Sequence, residues 1–80
     1  MYSLITDILQ ELDKTLPTQD IDRAKEYLSH NEFGIAFELI CVQVIENELK
    51  ISKSLFDKIE FIALQMDICI DILEEIEIDN

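Results

Sequence analysis

Few residues in this sequence could do chemistry, and their spacing matches no catalytic or metal-binding pattern. The single histidine, His30, has no serine or cysteine that the sequence pairs with it as a nucleophile. Cys41 and Cys69 are 28 residues apart, which fits no zinc-binding spacing. A glycine-rich phosphate loop is also absent from the sequence. We therefore predict that the protein is not an enzyme and uses no cofactor.

Acidic pairs are the remaining candidates for a metal site. The pairs Glu46/Glu48 and Glu74/Glu75 offer carboxylate oxygens, which hard cations prefer, but no Asp-x-Asp-x-Asp-Gly loop of an EF-hand accompanies them. We predict no bound metal. His30 falls at the end of a predicted helix, where it can interact with the last carbonyls and the helix dipole.

Charge is the strongest compositional signal. The 80 residues include 18 Asp or Glu and 6 Lys or Arg, for a net charge of -12. Such a field repels nucleic acid and disfavours anionic membranes, whereas it speeds the encounter with a basic partner. Residues 67–80 hold six acids and no base. The alternative interpretation is that the acidity only keeps an apolar-rich chain soluble.

Length and composition indicate one helical domain, over residues 1–80. The apolar content of 49% is too high for a disordered acidic chain, and one glycine and one proline favour helices over a turn-rich β protein. The start of the sequence lacks the basic and apolar regions of a signal peptide, and the longest uncharged stretch, 39–45, is too short to span a bilayer. We predict a cytoplasmic location.

Hydrophobic periodicity predicts an all-α fold, a compact bundle of four to five short helices at 2–15, 18–29, 32–48, 53–66 and 69–77. Pro17 separates the first two helices, and Ser52 is a favourable N-cap for the fourth. Two alternatives are open for the secondary structure of the C-terminal part of the chain. One is a continuous helix over 53–77, and the other, with weaker support, is a strand over 69–78. The first helix has its predicted buried stripe at Leu4, Ile5, Ile8, Leu9 and Leu12.

The central segment, 33–49, is predicted to organise the core. The side of this segment that faces away from the core carries both apolar and acidic residues. We expect neighbouring helices to cover Ile35 and Leu39 there. Val42, which lies between Glu38 and Glu46 in projection, is expected to be exposed. Gly34 suggests a tight turn or the close approach of the second helix. The predicted core side, at about 100° per residue, comprises Phe33, Phe37, Ile40, Cys41, Val44 and Ile45.

Residues 30–43, HNEFGIAFELICVQ, resemble the MafI family of bacterial immunity proteins. Members carry a similar H-x-E-[YF]-G-x-A-x-E-x-[LI]-C-x-Q run. The likeness continues through the acidic spacer at 46–48, the Ile51-Ser52 start of the next helix and an apolar stripe ending at Met66, and it covers roughly 16–68. Two positions differ, since the family often has an acid in place of Val42 and a glycine in place of Asp67.

The resemblance implies a small helical cytoplasmic protein of the immunity type. It would bind and neutralise the toxic C-terminal domain of a polymorphic or contact-dependent inhibition toxin, often a ribonuclease. No direct contact with nucleic acid or membrane is expected, and the oligomeric state is left open. An acidic helical adaptor or regulatory subunit that binds a different basic protein is the alternative, and a small hydrolase or metal enzyme is a third. The predicted toxin-binding residues are Glu38, Val42, Glu46, Asn47, Glu48, Asp71, Glu74 and Glu75.

Overall fold

A computed structural model describes residues 1–79. Four α-helices, α1 (Tyr2–Leu12), α2 (Thr18–Ser29), α3 (Phe33–Glu46) and α4 (Lys53–Met66), are followed by a 3₁₀ helix (Ile70–Glu75). Two short strands, β1 (Lys50–Ser52) and β2 (Glu77–Asp79), add a small parallel pair. The predicted all-α bundle with five helical segments is confirmed. No helix within residues 1–79 is both long and apolar enough to cross a membrane.

Local sequence explains where most helices begin. Pro17 stands at the N-cap of α2, since its missing N–H costs nothing where no intrahelical partner exists. Ser52 caps α4 as predicted: its hydroxyl oxygen accepts a hydrogen bond from the backbone N–H of Leu55, at 3.0 Å. Residues 13–15, predicted to be helical, form a turn instead, in which the Leu16 N–H still donates to the Leu12 carbonyl at 3.0 Å.

The core is built around α3, as predicted. Phe37 is fully buried at its centre, α2 packs along its length, and α1 contacts it as well, while α4 packs against α1 and the 3₁₀ helix. A shallow groove is lined by Thr15 after α1 and by Ser52 and Leu55 at the start of α4, so the end of α1 lies close to the start of α4. The large side chains that are almost completely buried are Phe37, Ile5, Ile8, Ile21, Ile40, Ile59 and Ile62.

Three α-helices end on a residue in the left-handed region that is not glycine. Asn31, Glu48 and Asp67 have φ values of 60°, 51° and 53° and follow α2, α3 and α4. Asp67 is the position where the resembled family often has glycine, the residue best suited to this conformation. In each case the next N–H donates to the carbonyl five residues back: Glu32 to Tyr27 at 2.9 Å, Leu49 to Val44 at 3.0 Å and Ile68 to Ala63 at 3.1 Å.

The C-terminal segment differs from its predicted helix at 69–77. The predicted break after Met66 is confirmed, because Asp67 leaves the helical region, and a continuous helix over 53–77 is wrong. Cys69 also has a positive φ, 62°, so only Ile70–Glu75 is helical, as 3₁₀ helix. The chain then extends into β2, which pairs with β1 in the register Lys50↔Glu77, Ile51↔Ile78 and Ser52↔Asp79.

Some predicted orientations of side chains are wrong. Leu4 is 38% exposed and Ile35 is 49% exposed, although both were expected to be covered. Ala36, placed on the outer side of α3, is fully buried, and Leu39 is half-buried. Ala36 belongs to the side of α3 that is buried, whereas Ile35 is rotated by about 100° from it around the helix axis.

The predicted reason for Gly34 is also wrong. Gly34 has an ordinary helical φ and does not form a turn. A Cβ atom placed there would lie 3.7 Å from Ile68 Cδ1 and 3.8 Å from Met66 Cε, which are normal van der Waals distances. Gly34 thus faces the end of α4 rather than α2, and the site has room for a methyl group.

Candidate partner-binding surface

Two of the predicted site residues, from distant parts of the sequence, act electrostatically on the thiol of Cys69. The carboxylates of Glu38, on α3, and of Asp71, on the 3₁₀ helix, both act on this thiol and raise its pKa, after the larger effect of burial. We call the surface around them the acidic face, formed by Ile35, Glu38 and Val42 of α3 with Ile70 and Asp71 of the 3₁₀ helix. All five side chains are exposed.

Helical geometry aligns the α3 part of this surface. Ile35, Glu38 and Val42 are three and four residues apart, so they lie on one side of α3. Glu46 continues the same side one turn beyond Val42, about 12 Å along the helix axis from Glu38. The prediction that Val42 is exposed is confirmed, at 36%. The exposed Ile35 adds apolar surface that neighbouring helices were predicted to cover.

The two thiols lie beneath the acidic face. Cys41 is buried on α3, and its thiol is close enough to that of Cys69 for the two to interact. Burial raises the pKa of the Cys41 thiol far above its usual value, and the neighbouring Cys69 and Glu38 raise it further. Both cysteines therefore stay protonated at neutral pH and act as small apolar side chains.

The end of α3 holds three further predicted residues. Glu46, Asn47 and Glu48 are all exposed, but the last two also terminate the helix. Asn47 Nδ2 donates to the carbonyl oxygen of Gln43 at 2.8 Å and to its side-chain oxygen at 3.3 Å. Glu48 adopts the left-handed conformation that reverses the chain. A substitution at Glu48 therefore changes the helix end as well as the surface charge.

The 3₁₀ helix presents the remaining predicted acids. Asp71, Glu74 and Glu75 are exposed, whereas Leu73 and Ile76 are buried and anchor the segment. Because a 3₁₀ helix has three residues per turn, Asp71 and Glu74 lie one above the other on the same side. Glu75 is rotated by about a third of a turn from them. Glu74 therefore extends the acidic face, and Glu75 lies beside it.

Within residues 1–79, the negative charges of the acidic face are not balanced by ion pairs. Within residues 1–79, Lys53 pairs with Asp57 on α4, and Lys58 Nζ lies 2.7 Å from Glu11 Oε2 on α1. Each hydrogen bond raises the pKa of its lysine. No carboxylate of the acidic face takes part in either pair, so this surface keeps its negative charge.

A second exposed surface was not found by sequence reasoning. Phe61 and Leu64 of α4 are 52% and 60% exposed. We call these two residues the apolar face. A signal was present, because Phe61 and Leu64 both lie off the buried stripe formed by Leu55, Ile59, Ile62 and Met66.

The remaining candidates show no catalytic arrangement. His30 is exposed at the end of α2; its backbone N–H donates to the Tyr27 carbonyl at 3.1 Å, but its side chain makes no hydrogen bond within residues 1–79. The same part of the chain contains no cluster of three or more potential metal ligands. A cavity of about 350 Å³ between α1 and α2 is lined by Tyr2, Leu9 and Lys25 among others, away from His30 and both cysteines.

Family models, curated proteins and solved structures were compared with the chain, and none matches.

Proposed function

We propose that this protein is an immunity protein that binds and neutralises a toxin domain with a basic surface, of the nuclease kind, in a stoichiometric complex. The observation that carries the proposal is the acidic face, where carboxylates from α3 and from the 3₁₀ helix converge beside exposed aliphatic side chains. The resemblance of residues 30–43 to MafI immunity proteins supports the same class of function.

The chemistry of a nuclease makes it a suitable partner. An active site that holds nucleic acid must present Lys and Arg to phosphate. Glu38, Asp71 and Glu74 offer carboxylates that can take the place of those phosphates. Ile35 and Val42 provide apolar contacts between the acids, and such contacts exclude water and strengthen the charge pairs around them.

The charge of the whole chain assists the encounter. Only two of its eighteen carboxylates form ion pairs within residues 1–79, so the molecule attracts a basic domain from all directions. Fields of this kind raise association rates by a factor of about 10 to 10³ and weaken with salt. We therefore expect the association rate with the toxin domain to fall steeply as ionic strength rises.

Expression with the neighbouring gene tests the proposal. We expect the gene immediately upstream to encode a protein whose C-terminal domain arrests growth when expressed alone. Expression of this chain in the same cell should restore growth, and the two proteins should purify as a tight complex. A harmless upstream product, or a toxic one that does not bind this chain, would contradict the proposal.

The alternative of an acidic adaptor is separated by the same experiment. An adaptor would bind a basic protein whose expression does not arrest growth. Growth arrest and its reversal, rather than binding alone, therefore distinguish an immunity protein from an adaptor.

A further inference from the structure

The hydroxyl oxygen of Thr6, on α1, is buried and has no hydrogen-bond partner within residues 1–79. A threonine hydroxyl often donates to a carbonyl three or four residues earlier, as Thr15 does to Leu12 at 3.1 Å. Thr6 makes no such bond, and no other buried side-chain oxygen or nitrogen in the described part of the chain is left unpaired. Because buried polar groups are normally paired, this hydroxyl requires an explanation.

Thr6 also lines the cavity of about 350 Å³ between α1 and α2. This volume falls within the range of about 300–1,000 Å³ that is usual for small-molecule sites. The lining residues on and just after α1 follow the spacing of one helix side: Tyr2, Thr6, Leu9, Gln10 and Asp13. The unpaired hydroxyl and the cavity are separate observations, and both fall on this side of α1.

Opposite charges line the cavity without pairing. Lys25 of α2 and Asp13 both belong to the lining, yet neither forms an ion pair within residues 1–79. A ligand with a carboxylate and an ammonium group can neutralise both. The net charge of -12 favours such a ligand, because the chain as a whole repels a simple anion and Lys25 repels a simple cation.

The rest of the lining combines apolar surface with neutral polar groups. Leu9 and Leu28 are buried, and Tyr2 adds an aromatic ring that is 55% exposed. Gln10, one turn beyond Thr6, offers an amide that can both donate and accept hydrogen bonds. A few polar groups beside apolar side chains are the usual composition of a small-molecule site.

We propose that this cavity binds a zwitterionic small molecule of the α-amino-acid class with an apolar side chain. Lys25 binds its carboxylate, Asp13 binds its ammonium group, and its side chain lies against Leu9 and Leu28. The Thr6 hydroxyl, turned towards the ligand by rotation of its side chain, gains the partner that it lacks within the chain. The site shares no residue with the acidic face, so the proposal does not depend on the function proposed above.

Three probes that share one aromatic ring test the proposal. L-phenylalanine carries both charges, hydrocinnamate only the carboxylate and phenethylamine only the ammonium group. In titrations up to about 10 mM, followed by the NMR shifts of the backbone amides, we expect L-phenylalanine to shift Thr6, Gln10 and Lys25. Each single-charge probe should bind about tenfold more weakly or worse. Unmoved amides, or equal affinity for either single-charge probe, would overturn the proposal.

A lysine variant tests the charge. Lys25→Gln removes the cation and keeps a polar side chain, so the affinity for L-phenylalanine should fall about tenfold. Lys14→Gln is the matched control, because it changes the net charge equally at an exposed lysine that does not line the cavity. Its affinity should equal that of the wild type. Equal losses in both variants, or no loss in Lys25→Gln, would overturn the role of Lys25.

Thr6→Val tests the hydroxyl, which it replaces with a methyl group of similar size. Because the hydroxyl is buried without a partner, we expect the variant to melt at a higher temperature than the wild type in the absence of a probe. The same variant should bind L-phenylalanine about three- to tenfold more weakly. A lower melting temperature, or affinity equal to that of the wild type, would overturn the role of Thr6.

Discussion

The acidic face and the apolar face both expose hydrophobic side chains, but different charges surround them. On the acidic face, Ile35 and Val42 adjoin carboxylates that have no cationic partner within residues 1–79. On the apolar face, Phe61 and Leu64 belong to α4, whose two lysines pair with Asp57 and Glu11 within the chain. An exposed hydrophobic side chain indicates that something binds, whereas the charges around it determine what can bind. The first face suits a basic partner, whereas the second offers apolar surface without a cluster of uncompensated acids from two elements.

Charge reversal on the acidic face should have the largest effect on binding. We expect Glu38→Lys with Asp71→Lys to weaken toxin binding by about 2–4 kcal/mol, because each lysine would face basic groups of the toxin. Calorimetric titration of the purified toxin domain would measure the change.

The matched control is Glu60→Lys, which makes the same change at an exposed acid of α4. Toxin affinity of this variant should stay close to that of the wild type. If Glu60→Lys weakens binding as much as a single reversal on the acidic face does, then the overall charge matters and the two faces do not differ.

The thiols beneath the acidic face should give the protein a stability limit at high pH. Burial raises the pKa of Cys41 above the value of 9.0 that it has when unfolded, so the unfolded chain loses the proton first. Because the folded state then binds more protons, the free energy of unfolding should fall as pH rises above about 9, by at most about 1.4 kcal/mol per pH unit.

Denaturant unfolding between pH 8 and 10.5 would measure this slope. The slope should be smaller in Cys41→Ala, even though that variant starts from a lower stability because it leaves a small cavity. An equal slope in both proteins would show that Cys41 is not its cause.

A substitution at the end of α3 can distinguish an effect on stability from an effect on partner binding. Glu48 has a φ of 51°, which costs a residue with a side chain about 1–2 kcal/mol, and its negative charge also opposes the helix dipole. We expect Glu48→Gly to raise the free energy of unfolding by about 1 kcal/mol.

Asn31→Gly is the comparison, because Asn31 occupies the equivalent position after α2 and asparagine tolerates this conformation better. The gain in the free energy of unfolding, measured with urea, should be smaller for Asn31→Gly than for Glu48→Gly. A loss of stability in Glu48→Gly would mean that the Glu48 side chain makes a stabilising contact. If the variant is more stable and still binds the toxin fully, the Glu48 side chain contributes neither to stability nor to the interface.

Gly34 should give the smallest effect. It lies where the start of α3 meets Met66 and Ile68, at the junction that leads from α4 to the acidic face. Since a methyl group would make normal contacts there, Gly34→Ala should stabilise the protein by about 0.5–1 kcal/mol through helix propensity. Thermal unfolding would show the gain, and a lower melting temperature would mean that this junction is packed more tightly than the distances indicate.

Elements with a local signal could be predicted from the sequence. The spacing of Ile5, Ile8, Leu9 and Leu12 predicted α1. Ser52 predicted the start of α4, where its side chain accepts the capping hydrogen bond. The break after Met66 was also predicted, although Asp67 provides it without glycine.

Elements that depend on distant partners could not be predicted. β1 and β2 have three residues each, too few to show a period of two, and they exist because Ile51 pairs with Ile78 from the far end of the chain. The same limit applies to Ile35 and Ala36, since their positions on α3 do not reveal where α2 will pack. For the candidate site, Glu38 and Asp71 were predicted separately from their own segments, but only the fold shows that the charges of both act on the Cys69 thiol.

The strand pair has a consequence for the order of folding. β1 and β2 pair in parallel across residues 53–76, so the pair cannot form until α4 and the 3₁₀ helix have brought its strands together, whereas α2 and α3 are joined by a three-residue turn. We expect the α2–α3 hairpin to form early and the strand pair late. Hydrogen exchange should then protect the amides of α3 before those of β2. Asp71 and Glu74 would reach their final places with β2, so a toxin would meet a complete acidic face only after the last folding step.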